Sequence, residues 1–101
     1  MKNEKLDQNQ NISIRVHAFI EGAVQGVGYR WFVRQAAQRF GLSGWVRNLD
    51  NGGVELEVEG PKEEVDEFLE KIQREHQWAR VENIRTDKIK TIDDRSGFEI
   101  V

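Results

Sequence analysis

Three features of this sequence could do chemistry together: the stretch "GAVQGVGYR" from Gly22 to Arg30, Arg30 itself, and Asn48 in "WVRNLDNGG". Glycines at 22, 26 and 28 open backbone angles that other residues avoid and let a ligand approach the main chain. Successive N–H groups in such a loop can form an inward-facing nest. A helix starting just beyond it adds unsatisfied donors and a partial positive charge, which draws an exposed anion by roughly 0.3–1 kcal/mol. Arg30, in the first turn of that helix, supplies a planar donor fork that fits phosphate bidentately. The chemistry these residues suit is capture of a tetrahedral anion. The same glycines also suit an ordinary strand-to-helix turn, and Asn48 on its own suits a capped turn. The glycine spacing is not GxGxxG and no Gly-Lys-Ser/Thr follows, so nucleotide binding is disfavoured.

The elements that must position these residues are legible in the pattern around them. In "ISIRVHAFIEG", Ile12, Ile14, Val16, Ala18 and Ile20 alternate with Ser13, Arg15, His17 and Phe19, the signature of a half-buried strand. Tyr29, Phe32, Val33, Ala36, Ala37 and Phe40 then recur at helical spacing, and Gly41 stands where a left-handed cap belongs. "GWVRNL" and "VELEVE" flank the turn cluster "DNGG" as a hairpin. Gly60 and Pro61 open a second helix, with proline expected at its first position and Val65, Phe68, Leu69 and Ile72 on its core face. "WARVENIRTDKI" reads as a further strand and "GFEIV" as a short final one. This order predicts an α+β, ferredoxin-like split-βαβ sandwich: βαββαβ plus a short C-terminal strand, with two helices on one face of an antiparallel sheet. The first crossover makes the strands ending near Gly22 and Asn48 run in the same direction. The glycine loop, Arg30 and Asn48 are therefore expected at one edge of the domain.

Composition narrows the rest. A chain of 101 residues with one proline and no cysteine implies a single domain with one modest core and no disulfides. Residues 1–11, "MKNEKLDQNQN", are too polar to bury and lack the apolar core of a targeting signal, so a disordered tail before a domain over 12–101 is expected. A cytoplasmic monomer is the default expectation. A net charge of −3 provides no global attraction to nucleic acid or to anionic lipid, so neither is expected as a partner.

"IEGAVQGVGYR", Ile20 to Arg30, and "GWVRNLDNGGVELEVEG", Gly44 to Gly60, resemble the two signature segments of the acylphosphatases, small metal-free hydrolases of the carboxyl–phosphate bond. The resemblance runs from about Ile12 to the C-terminal "GFEIV". It implies that Arg30 is the essential phosphate-binding arginine and that Asn48 holds the attacking water. It also implies that the backbone of Gln25, Gly26, Val27, Gly28, Tyr29 and Arg30 cradles the phosphoryl oxygens. The substrate would be a small acyl phosphate, with inorganic phosphate or sulfate able to take the same site, and neither a metal nor another cofactor is expected. Tyr29 replaces the phenylalanine more usual in the family, and its retained ring predicts a packing role.

Other residues read as structural. His17 on the polar face of the first strand and His76 at the end of the second helix are expected away from the site. Trp31 falls off the core stripe, toward the site rim, whereas Trp45 and Trp78 are expected to pack. Glu55, Glu57 and Glu59 read as a solvated sheet face. Two other functions share the fold. An RNA-recognition module is disfavoured because its aromatic, basic strand would here be the acidic "GGVELEVEG". A non-catalytic or transferase-associated module binding phosphate or carbamoyl phosphate, as within hydrogenase-maturation proteins, would be expected in a longer chain with zinc-finger cysteines.

Overall fold

The computed structural model describes residues 12–101. The expected tail, residues 1–11, lies outside the described residues. The elements follow in the expected order: strand β1 (Ser13–Ala23), helix α1 (Tyr29–Arg39), strands β2 (Ser43–Asn48) and β3 (Val54–Pro61), helix α2 (Lys62–Arg74), and strands β4 (Arg80–Ile89) and β5 (Phe98–Ile100). They form a two-layer α+β sandwich whose sheet order is β4-β1-β3-β2-β5. Both β1 and β2 pair antiparallel with β3, so they run in the same direction with β3 between them.

The core lies between the sheet and the two helices, because each element turns one apolar face there. Val16, Ala18 and Ile20 of β1, Val46 of β2, and Val54, Leu56 and Val58 of β3 are buried against Val33, Ala36 and Ala37 of α1 and Val65, Phe68 and Ile72 of α2. Burying a side chain of this size contributes about 1.5–3 kcal/mol relative to leaving it in water.

Three local expectations are corrected. The sheet is mixed, because β5 pairs parallel to β2, with Gly44 opposite Phe98. β4 and β5 occupy opposite edges of the sheet, so the chain between them crosses it and enters β5 beside the start of β2. Pro61 is the cap preceding α2 and not its first residue, since it still pairs with Ser13 in the sheet, and the N–H of Lys62 donates to Ile12 O at 2.9 Å.

The third correction concerns the acidic row of β3. Glu55 and Glu59 are 8% and 5% exposed, and Glu57 is half-buried. Arg15, only 3% exposed, donates to Glu57 at 2.8 Å, Glu59 at 3.2 Å and Asp94 at 3.3 Å. Glu59 also accepts from the N–H groups of Ile92 and Asp94, so the 90–97 crossing lies across this face and shields it. Glu55 accepts from Arg47 Nε at 2.7 Å and meets His17 Nε2 at 2.6 Å, linking β1, β2 and β3. Burial alone would lower the Arg15 pKa, but the hydrogen bonds it donates to three carboxylates outweigh that and hold it above the ordinary value. Alternation along β3 assigned these glutamates to the face away from the helices correctly. It could not reveal the cations and the crossing segment that bury them.

Candidate active site

β1 passes directly into the glycine loop, and Gly22 belongs to the strand. A register shift between Glu21 and Gly22 brings Gly22 so close to β4 that a Cβ there would lie 2.0 Å from Arg80 O. Its glycine serves this bulge and not ligand approach, which corrects the expectation drawn from the sequence. Gly26 and Gly28 behave differently. Their φ angles are 77° and 76°, in the left-handed region, and a Cβ on either would meet nothing within 4 Å. They shape the backbone against open space.

The loop's own side chains hold it in that shape. Val24 is 1% exposed, Val27 packs against the core, and Tyr29 is 1% exposed with its hydroxyl donating to Ile72 O at 2.7 Å. Burial pushes the Tyr29 phenol above its ordinary pKa of 10.0, so it stays protonated and structural, as a packing role requires. The apolar side chains turn inward, while Gly26 and Gly28 are exposed. Among the described residues, no acceptor takes the N–H groups of Gly26, Val27, Gly28, Tyr29 or Arg30. The first turn of α1 carries no acidic residue and its start has no side-chain cap, so neither competes for an incoming anion. Arg30 is half-buried in that first turn and enters no ion pair among the described residues.

Asn48 is the last residue of β2 and is exposed. It shares the helix-side face with Val46, two residues earlier, because side chains alternate along a strand. The turn that follows is closed by Leu49 N–H to Gly53 O at 2.9 Å and by Gly53 N–H to Asn51 Oδ1 at 2.9 Å. The two halves of the site are tied by a contact the sequence reading missed. Gln25 Nε2 donates to both Leu49 O at 2.8 Å and Gly53 O at 2.7 Å, clasping the loop before α1 to the turn after Asn48. The family resemblance implies a role for the backbone of Gln25; its side chain ties the glycine loop to the turn after Asn48. The available signal was an amide with two donors in a loop that needed to be anchored.

Of the remaining residues, His17 lies on the far face of the sheet with Glu55. His76 is nearer the site than expected, its ring edge-on to Tyr29 at 5.8 Å and Phe32 at 5.1 Å. Its Nδ1 accepts from the N–H groups of Trp78 and Ala79, so it serves as a loop cap. Trp45 is partly buried beside Arg47, as packing requires, but Trp78 is 69% exposed because it sits in the connection between α2 and β4. Among the described residues, no group of three His, Cys, Asp or Glu could hold a metal ion, and no helix is long and apolar enough to cross a membrane.

Fold and site together define a small α+β domain of ferredoxin-like type, with a glycine loop of unpaired N–H groups and an exposed amide at the end of the sheet where β1 and β2 finish. The acylphosphatase family model matches residues 16–100. An acylphosphatase of Moorella thermoacetica is 49% identical over 72 residues, covering 71% of this chain and 77% of its own. One of Bacillus pumilus is 40% identical over 87 residues, covering 86% and 97%. The crystal structure of acylphosphatase from Bacillus subtilis superposes with a TM-score of 0.83 at 33% identity, covering 87% of this chain and 98% of that one. The chain belongs to the acylphosphatase family.

Proposed function

We propose that the backbone of Gln25 to Arg30 and the Arg30 guanidinium bind the phosphoryl group of an acyl phosphate, and that Asn48 orients the water that attacks it. The chain is a hydrolase of small acyl phosphates, yielding a carboxylate and inorganic phosphate. The observation that carries the residue roles is the run of unpaired N–H groups from Gly26 to Arg30, in a loop clasped by Gln25 to the turn after Asn48.

The chemistry explains why so few side chains suffice. The leaving group is a carboxylate, already stable as an anion near neutral pH, so no strong general acid is required. Phosphoryl transfer depends mainly on positioning and on stabilising charge at the equatorial oxygens. The N–H groups and Arg30 supply both without a metal. Asn48 offers a carbonyl and an NH2 but no useful basicity, so it aligns the water and does not deprotonate it. The proton passes to a phosphoryl oxygen of the substrate itself. With no cysteine in the chain, no phosphocysteine can form. The reading includes a cytoplasmic monomer without a nucleic-acid partner, in keeping with the net charge of −3.

Hydrolysis of benzoyl phosphate, followed with and without a chelator, tests this. Turnover above the spontaneous rate that is insensitive to the chelator is expected. Loss on chelation would overturn metal independence, and phosphate binding without turnover would leave a binding module in place of an enzyme.

A further inference from the structure

The largest apolar group on the first turn of α1 is not in the core. Trp31 is 61% exposed, although Tyr29 and Val33 on either side of it are 1% and 0% exposed. Side chains of a helix lean toward its N-terminus and cover the preceding turn. From the third residue of α1 the indole therefore leans toward the end that carries Arg30 and the glycine loop. Arg34, one turn later, sets its guanidinium carbon 5.4 Å from the centre of the Trp31 ring. Its Nε is closed off from solvent and has no hydrogen-bond partner. Leaving a buried donor unmade is unfavourable, so Arg34 gives up part of its hydration in the position it holds beside the indole. The ring is thus supported by a cation from within its own helix, while most of its surface remains open.

Gly26 to Arg30 and Asn48 account for the phosphoryl group and the water, and nothing in that set touches the acyl portion of the substrate. We propose that Trp31, backed by Arg34, is the platform for that portion and selects acyl phosphates with an aromatic acyl group. This rests on the acylphosphatase reading above. An aryl ring can stack offset or edge-on with the indole, whereas a methyl group offers it little area.

The test compares kcat/KM for benzoyl phosphate and acetyl phosphate in the wild-type enzyme, Trp31→Ala, Trp31→Phe and Trp78→Ala. Because Trp31 is exposed, its replacement does not threaten the core. Trp31→Ala should lower the benzoyl-to-acetyl ratio roughly tenfold, the equivalent of one good aromatic contact, mainly through KM for benzoyl phosphate. Trp31→Phe should restore most of the ratio, and Trp78→Ala, which removes the other large exposed indole, should retain it. A ratio unchanged in Trp31→Ala, or lowered as much by Trp78→Ala, overturns the platform while hydrolysis of both substrates keeps the acylphosphatase reading intact. Failure of the wild-type enzyme to hydrolyse either substrate overturns that reading itself.

Discussion

Arg15 and Arg30 stand in two regions that treat a positive charge in opposite ways. Arg15, on the sheet face away from the helices, is 3% exposed and bonded to three carboxylates. Arg30, in the first turn of α1 beyond the end of β1, is half-buried and bonded to none among the described residues, beside five backbone N–H groups in the same condition. The first region spends its charge within the fold and joins β1, β3 and the 90–97 crossing. The second leaves its donors unpaired among the described residues, which is what the proposed phosphoryl site requires. Burial and charge alone do not separate the two regions; what distinguishes the second is a group of donors left unmatched while apolar side chains hold their backbone in place.

The contrast can be broken from either side. The largest effect is expected from Arg15→Ala, which leaves Glu57, Glu59 and Asp94 facing one another. Removing one partner from a buried network costs about 3–5 kcal/mol, so thermal or urea unfolding should reveal a marked loss of stability. Enzyme that remains folded should retain its phosphate affinity. Arg30→Lys should do the reverse. It keeps the charge and loses the fork, so stability should change little, while kcat/KM for benzoyl phosphate falls by about 100-fold or more and inorganic phosphate inhibits more weakly.

Gln25→Ala sharpens the picture from between the two regions. Losing both clasping bonds leaves Leu49 O and Gly53 O with one acceptor site each unfilled and lets the cradle drift from Asn48. A roughly tenfold fall in kcat, with less change in KM, is expected in steady-state kinetics.

The smallest effect concerns pH. Burial would raise the Glu55 pKa, but hydrogen bonds from His17 and Arg47 outweigh it and hold the carboxyl below its ordinary 4.5. Hydrogen bonds from Ser96, with a contribution from Arg15, hold Asp94 below its ordinary 3.8. A carboxylate depressed on folding stabilises the native state fully above its unfolded pKa and loses that contribution as pH falls through the lower folded value. Stability should therefore decline in the acid range below about pH 4, and Glu55→Gln should flatten part of that decline in urea titrations.

Much of this was legible from local pattern. Strict alternation in Ile14, Val16, Ala18 and Ile20 and helical spacing from Tyr29 to Phe40 follow from burying one face of each element. The crossover rule then brought Arg30 and Asn48 to one edge without any contact being known. What escaped the sequence depends on partners distant along the chain. Glu59 is buried by residues 33 and 35 positions away, and Gly22 is required by β4 and not by a ligand. The Gln25 clasp spans 24 and 28 residues, a distance over which no periodicity speaks.

The division of labour between cradle and amide is tested most directly by Asn48→Ala, with kcat for benzoyl phosphate and the Kd of inorganic phosphate measured on the same preparation. Loss of one preorganised hydrogen-bonding group predicts a fall in kcat of about 100-fold, with Kd unchanged within about twofold. Full activity, or a phosphate affinity that falls together with kcat, would contradict the assignment of Asn48 to the water and of the cradle and Arg30 to the phosphoryl group.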